Sequence, residues 1–313
     1  MLEVQNATVE VTWWDVLKAT SFIIAAGTVS FYLGLELETQ FIIASVRCVV
    51  QLSLMGLLLD DVLRVNNPWV VFFITMTFIF LGSYEVVFNR TKHTFAGIFP
   101  RIFGLLVISI FLIGITGTAV ALRATPFWTP QKFIPIIGML LGNTIGSITV
   151  AIDLCLGHIS LHAPMLDARL AMGASRYEAS RPLAIEAIQM ALLPIIAQVS
   201  VMGLINIPGT MVGLLVAGAE IQDAVIYQQV LMFMITSSCT LGSILAVAAC
   251  LWTILDRRHR LQLDRIQPNR AIVTITIVRL WTHYTAEWRQ KSWSLTKRYT
   301  KLEQTDIELE TRP

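Results

Sequence analysis

Residues 166–187 read LDARLAMGASRYEASRPLAIEA. Charge, glycine and proline crowd together here, with greasy sequence on both sides. Ser175-Arg176-Tyr177-Glu178 has the spacing of a capping box, in which a serine hydroxyl takes a backbone N–H three residues on and the acid there reaches back. A helix is therefore expected to start just after Gly173, a residue free to make the left-handed turn that others resist. Leu166 and Leu170 fall on one face of a short helix before it. Pro182 sits within the first turns of the helix that follows. The expected product is helix, turn, helix. A plain connecting loop needs no such capped construction, whereas an amphipathic hairpin lying beneath a membrane does.

The flanking sequence supplies the membrane. The chain has 313 residues, 55% of them hydrophobic and only 14% charged, with a mean hydropathy of +0.67. A soluble domain carries about 25% charged residues. Apolar runs long enough to cross a bilayer fall at 14–35, 40–59, 68–88, 98–121, 133–156, 186–207 and 226–254. A further apolar piece, 209–218, is too short to cross and is punctuated by Pro208, Gly209, Gly213 and Gly218. It reads as a re-entrant half-helix, tolerated where protein or water covers its ends. The expected fold is an all-α integral membrane protein of about seven transmembrane helices, with a cytosolic hairpin at 166–187 and a re-entrant turn before the last span.

Lys and Arg in the short loops set the orientation. With the C-terminus in the cytosol, the inner side receives Arg90, Lys92, Arg101, Arg169, Arg176 and Arg181, followed by Arg257, Arg258, Arg260, Arg265 and Arg270. The outer side keeps Lys18, Arg64, Arg123 and Lys132. Seven spans then place the N-terminus on the non-cytosolic side. The chain divides into a non-cytosolic segment (1–13), a transmembrane domain (14–255) and a basic cytosolic tail (256–313) with twelve Lys/Arg against seven Asp/Glu. Acidic residues and Trp13-Trp14 precede the first apolar run, so that run reads as a retained span and not as a cleavable signal. Asn6-Ala7-Thr8 would lie outside as a glycan acceptor. Residues 271–288 suit an interfacial helix, and the last dozen residues read as disordered.

No motif of a stand-alone enzyme occurs: neither G-x-x-x-x-G-K-S/T nor G-x-S-x-G nor H-E-x-x-H. Catalysis, a bound cofactor, a metal centre and nucleic-acid binding are not expected of this chain. Cys48, Cys155, Cys239 and Cys250 all fall in apolar runs and read as small buried hydrophobes. Polar residues inside spans are more telling, since each costs a few kcal/mol at mid-membrane unless partnered. They are Arg47 and Gln51 (one turn apart in the second span), Glu85 (third), Asn143 and Asp153 (fifth), and Gln198 and Asn206 (sixth). They are candidates for a substrate path or for buried polar contacts, and Arg47 with Glu85 is the expected ion pair. Gly138, Gly142 and Gly146, at four-residue spacing, suit close helix packing within the chain or a seam between two copies.

The stretch LDARLAMGASRYEASRPLAIEAIQMALLPII resembles the coupling loop of ABC permeases. Its continuation, VSVMGLINIPGTMVGLLVAGAEIQDAVIYQQVLMF, is similar to the bacterial iron-export permease family and its plant aluminium-tolerance relatives, as are RCVVQLSLMGLLL and GMLLGNTIG. The resemblance covers about residues 15–255. It implies the transmembrane subunit of an ABC transporter, working as a homodimer with a separately encoded ATPase that binds the ATP. Asp167, Ala168, Gly173, Ser175 and Glu178 would then form the ATPase-coupling loop. A metal ion such as iron, or another small solute, would be carried, in a plasma membrane or an organellar membrane such as the vacuole. The chain has Val212, Leu214 and Ala197-Gln198 where relatives tend to carry polar residues or asparagine. A stand-alone channel or secondary carrier, or a seven-helix receptor, also fits the helix count, but neither requires the hinged loop.

Overall fold

A computed structural model of the chain describes residues 12–35, 37–64, 67–95, 97–123, 125–255 and 261–268. The N-terminal segment with its sequon, Arg257, Arg258, Arg260, Arg270, the expected interfacial helix and the end of the tail lie outside the described residues. Seven described helices are long and apolar enough to cross a membrane: Trp13–Leu33, Glu38–Leu57, Pro68–Arg90, Ile98–Ala121, Pro130–Leu161, Arg176–Val201 and Ile221–Ile254. The chain is an all-α, multi-pass integral membrane protein.

The described residues form two bodies. The first is the hairpin of α1 (Trp13–Leu33) and α2 (Glu38–Arg64). Thr12 and Asp15 cap the start of α1, and Gly34, in the left-handed region, ends it. The turn is closed by Ser30, whose hydroxyl donates to Glu38 Oε2 (3.3 Å) and accepts from the Leu37 N–H (3.1 Å).

The second body holds α3 (Pro68–Tyr84), α4 (Ile98–Thr116), α5 (Pro130–Leu161), α6 (Ala163–Ala171), α7 (Arg176–Val201), α8 (Gly209–Val216) and α9 (Ile221–Ile254). Asn67 caps α3 by accepting the Trp69 N–H at 3.0 Å, with Pro68 in the first turn where no intrahelical donor is needed. Both α3 and α4 loosen into a π-helical turn at their ends, over Glu85–Arg90 and Gly117–Ala121.

The core lies on α5. Ile136, Ile137, Leu140, Ile148, Ile152, Leu156 and Ile159 are fully buried there, as are Ile102, Leu106 and Ile110 of α4. Gly242 lets α9 approach: a Cβ at that position would stand 2.7 Å from Thr144 Cγ2. A buried polar seam joins α4, α5 and α9. Ser109 donates to the Ser238 carbonyl (3.0 Å), and the Thr144 and Ser238 hydroxyls are 2.8 Å apart. Each hydroxyl in the seam thus has a protein partner, as burial demands.

Helix ends differ from the apolar runs. Pro130 starts α5 ahead of the run and it continues to Leu161, while α7 starts at Arg176, ten residues before its apolar stretch, because the capping box starts it. At its far end α7 stops at Val201 instead of running to 207. Gly203 turns left-handed (φ +84°) and its N–H donates to the Asn206 carbonyl at 3.0 Å. Beyond α9 the chain folds back: β2 (Gln267–Pro268) pairs antiparallel with β1 (His93–Thr94), and Arg265 donates to the Thr253 carbonyl at 3.0 Å.

Candidate functional site

The expected hairpin is present. After α5, His162 leads into α6, whose Leu166 is fully buried. The chain then reverses through Met172 and Gly173. Gly173 has φ +93°, its N–H donates to the Leu170 carbonyl, and Ala174 N–H donates to the Arg169 carbonyl, both at 3.1 Å. Among the described residues, no heavy atom beyond Gly173 and its chain neighbours lies within 4 Å of where a Gly173 Cβ would sit. The requirement for glycine is one of backbone conformation and not of space.

Ser175 starts α7. Its hydroxyl and backbone N–H donate to Glu178 Oε2 at 2.7 and 2.8 Å, and the Glu178 N–H donates back to the Ser175 hydroxyl at 3.3 Å. Arg169 donates to the Ala179 carbonyl (3.3 Å), tying α6 to the first turn of α7. Ala179 and Ser180 are buried behind the turn, while Asp167, Ala168, Met172, Tyr177 and Glu178 face outward. At the root, His158 Nδ1 on α5 stands 3.4 Å from Glu186 Oε2 on α7. The result is a braced surface knob with exposed apolar and acidic groups at its tip.

Along the same two helices runs a cavity of about 330 Å³, lined from α5 by Gly142, Asn143, Gly146 and Ser147, and from α7 by Pro194 and Gln198 among others. Asn143 Nδ2 donates to the Met139 carbonyl at 2.8 Å, which leaves its oxygen as an acceptor. Pro194 removes the N–H that would otherwise bond the Met190 carbonyl. Gly138, Gly142 and Gly146 have nothing within 4 Å of a Cβ position. Among the described residues, the stripe that suits close packing therefore has no neighbour at its Cβ positions, and two of its glycines open onto the cavity. Every polar group in the lining is neutral.

The other polar residues of the spans separate into distinct settings. Asp153 accepts the N–H groups of Lys92 (2.7 Å) and His93 (3.3 Å), so it pins the loop before α4 to α5. Glu85 accepts from Asn89 (2.7 Å) and Arg90 (3.4 Å) within its own π-helical turn. Arg47 and Gln51 lie one turn apart on α2, in the first body. Asn206 lies outside the sixth span, in the turn after α7. Pro208 precedes α8 as its cap, Gly213 lies inside α8, and Gly218 (φ +89°) turns the chain after it. Asn143 and Gln198 share a cavity.

Gln228 escaped the sequence reading. It is 7% exposed within α9. Its oxygen accepts the Thr210 hydroxyl of α8, and its Nε2 faces Met202 Sδ at 3.9 Å. The signal available was an amide pair, Gln228-Gln229, inside an apolar run.

Comparison with known proteins places the chain in a family. The profile of the family described as Uncharacterised protein family (UPF0014) matches residues 13–255. A UPF0014 membrane protein of Synechocystis is 29% identical, over 82% of this chain and 98% of its own length. Protein ALUMINUM SENSITIVE 3 of Arabidopsis thaliana is 27% identical, over 77% and 86%. The probable iron export permease protein FetB of Escherichia coli is 25% identical, over 80% and 94%. No solved structure matches the chain significantly.

Proposed function

The chain belongs to the UPF0014 family of membrane proteins, and from that footing we propose that it is the transmembrane subunit of an ABC transporter. It works as a homodimer and is energised by a separate ATPase subunit that binds the ATP. The observation that carries the reading is the braced hairpin of Gly173, Ser175 and Glu178. It is stiffened by two reciprocal caps and by Arg169, and it presents Asp167, Ala168 and Met172 at its tip. A stiff element of this kind transmits a push as a rigid lever. The ATPase is the partner that pushes.

The substrate is a metal ion such as iron, in keeping with the name of the Escherichia coli relative, or another small solute. It passes along the face of α5 and α7 where Asn143 and Gln198 offer amide groups and the glycine stripe leaves room. Two copies meeting there would enclose the path. The C-terminus lies in the cytosol with the hairpin, and the N-terminus on the other side.

Purification of the full chain in mild detergent, with the co-purifying ATPase quantified per permease, tests the reading. A subunit of defined stoichiometry that is lost when the hairpin is unbraced supports it. Transport by the purified chain alone, with no ATPase, would make it a carrier or channel instead.

A further inference from the structure

Among the described residues, no group of three or more His, Cys, Asp or Glu side chains gathers into a metal centre. A cation held among them must therefore find other donors. At the end of α7 opposite the hairpin lies a cavity of about 370 Å³ lined by Met202, Met211, Met232, Gln228, Gln229 and Phe233, and otherwise by glycine, proline and aliphatic side chains.

The three methionines come from three separate elements: the turn after α7, α8, and the middle of α9. Methionine commonly fills irregular gaps in a core. Here the three side chains border open space. Gln228 is committed elsewhere, its oxygen to Thr210 and its Nε2 toward Met202 Sδ at 3.9 Å. That contact holds the Met202 thioether beside the cavity.

The lining contains no carboxylate, imidazole or thiol. A hard or divalent cation would find there neither a cage of oxygens nor charge to offset its own. Thioether sulfur is a soft, neutral ligand that suits Cu(I). A soft monovalent ion brings only a single charge into this neutral lining. Thioethers carry no proton at neutral pH, so binding releases none.

We propose that this cavity binds a soft monovalent metal cation, Cu(I) or its redox-stable analogue Ag(I), through the sulfurs of Met202, Met211 and Met232. The site is separate from the Asn143–Gln198 cavity, and its occupancy requires neither the ATPase nor transport.

The test is a titration of the full-length chain, in detergent and chloride-free buffer, with Ag(I) as the probe. The methyl groups of all eleven methionines carry ¹³C, so that thioether binding is read apart from uptake by the four cysteines. The signals of Met202, Met211 and Met232, assigned through single leucine variants, should shift together and saturate. Leucine at any one should abolish the shift of the other two. Leucine keeps apolarity and approximate volume, and the unshifted signals report whether the fold survives. Should the buried Met232→Leu variant disturb them, Met202→Leu and Met211→Leu decide the matter. Signals that stay in place while the thiols saturate, or that move independently of one another, overturn the assignment; the cavity then takes an apolar molecule or nothing.

Discussion

Ser175 and Glu178 cap one another across a single turn, with the Ser175 hydroxyl 2.7 Å from the Glu178 carboxylate and the Glu178 N–H 3.3 Å from that hydroxyl. Both residues are solvent-facing or nearly so, so the pair adds little to the membrane core. Removing the cap by Ser175→Ala should destabilise the start of α7 by roughly 1 kcal/mol. Gly173→Val forces a β-branched residue to φ +93°, at roughly 1–3 kcal/mol of local strain. Both variants should insert and form dimers normally. Bound ATPase per permease, and transport with it, should fall strongly in Gly173→Val and partially in Ser175→Ala. Gly173→Asn, which tolerates the left-handed region, and Ser175→Asp, which restores a cap, should recover most of it. Unchanged stoichiometry and transport in Gly173→Val would sink the lever.

Much of this architecture was legible in the sequence because its causes are local. An apolar run of some twenty residues has one stable setting, and the box from Ser175 to Glu178 acts within one turn. The contacts that needed the structure are those made between distant elements. Gly242 reads as any helix glycine until α5 is seen against it. Asn206 reads as part of a span because its neighbours are apolar, yet the left-handed Gly203 ends the helix first. Asp153 reads from the sequence as either a residue of the substrate path or a buried polar contact, and its partners, two backbone N–H groups 60 and 61 residues away, appear only in the structure. Within the candidate site, the hairpin could be read in advance. The cavity could not, since it exists only where α5 and α7 stand beside each other.

Topology is tested by thiol labelling. Cys48 is exposed and would be replaced first. Single cysteines near Asn6 and near Arg260 are then treated with an impermeant reagent from each side of the membrane. Seven spans put them on opposite sides, with Asn6 non-cytosolic. Labelling of both from one side would mean an even number of crossings.

Arg47 and Glu85 remain the expected ion pair between the second and third spans. Glu85 also accepts from Asn89 and Arg90, so Glu85→Arg should lower the yield of folded protein on local grounds alone. Arg47→Glu should lower it as well, because a charge stranded in the membrane is costly. The informative measurement is the double swap. Paired residues recover part of the loss when exchanged together, whereas independent ones lose at least as much as the worse single variant. A double swap no better than Glu85→Arg rules the pairing out.

The glycines of α5 and α9 separate packing from passage. At Gly242 a methyl would stand 2.7 Å from Thr144 Cγ2 and 3.1 Å from Ile148 Cδ1, inside the polar seam of Ser109, Thr144 and Ser238. Gly242→Ala should therefore overpack the core and destabilise the protein by about 1–3 kcal/mol, read as a lower midpoint of thermal unfolding in detergent. Gly146 is the contrasting case. Its Cβ position meets nothing within 4 Å and opens onto the cavity that Asn143 and Gln198 share. Gly146→Ala should leave the midpoint unchanged or raise it slightly, since alanine favours the helix by about 1 kcal/mol over glycine. Gly146→Leu, which fills the cavity, should keep the midpoint and the bound ATPase yet abolish transport. Gln198→Leu removes an amide without adding bulk and should reduce transport less. If Gly146→Leu transports at the parental rate while folded and ATPase-bound, the substrate does not pass along this face. If it loses the dimer instead, the stripe is a seam between copies and the cavity is only the gap beside it.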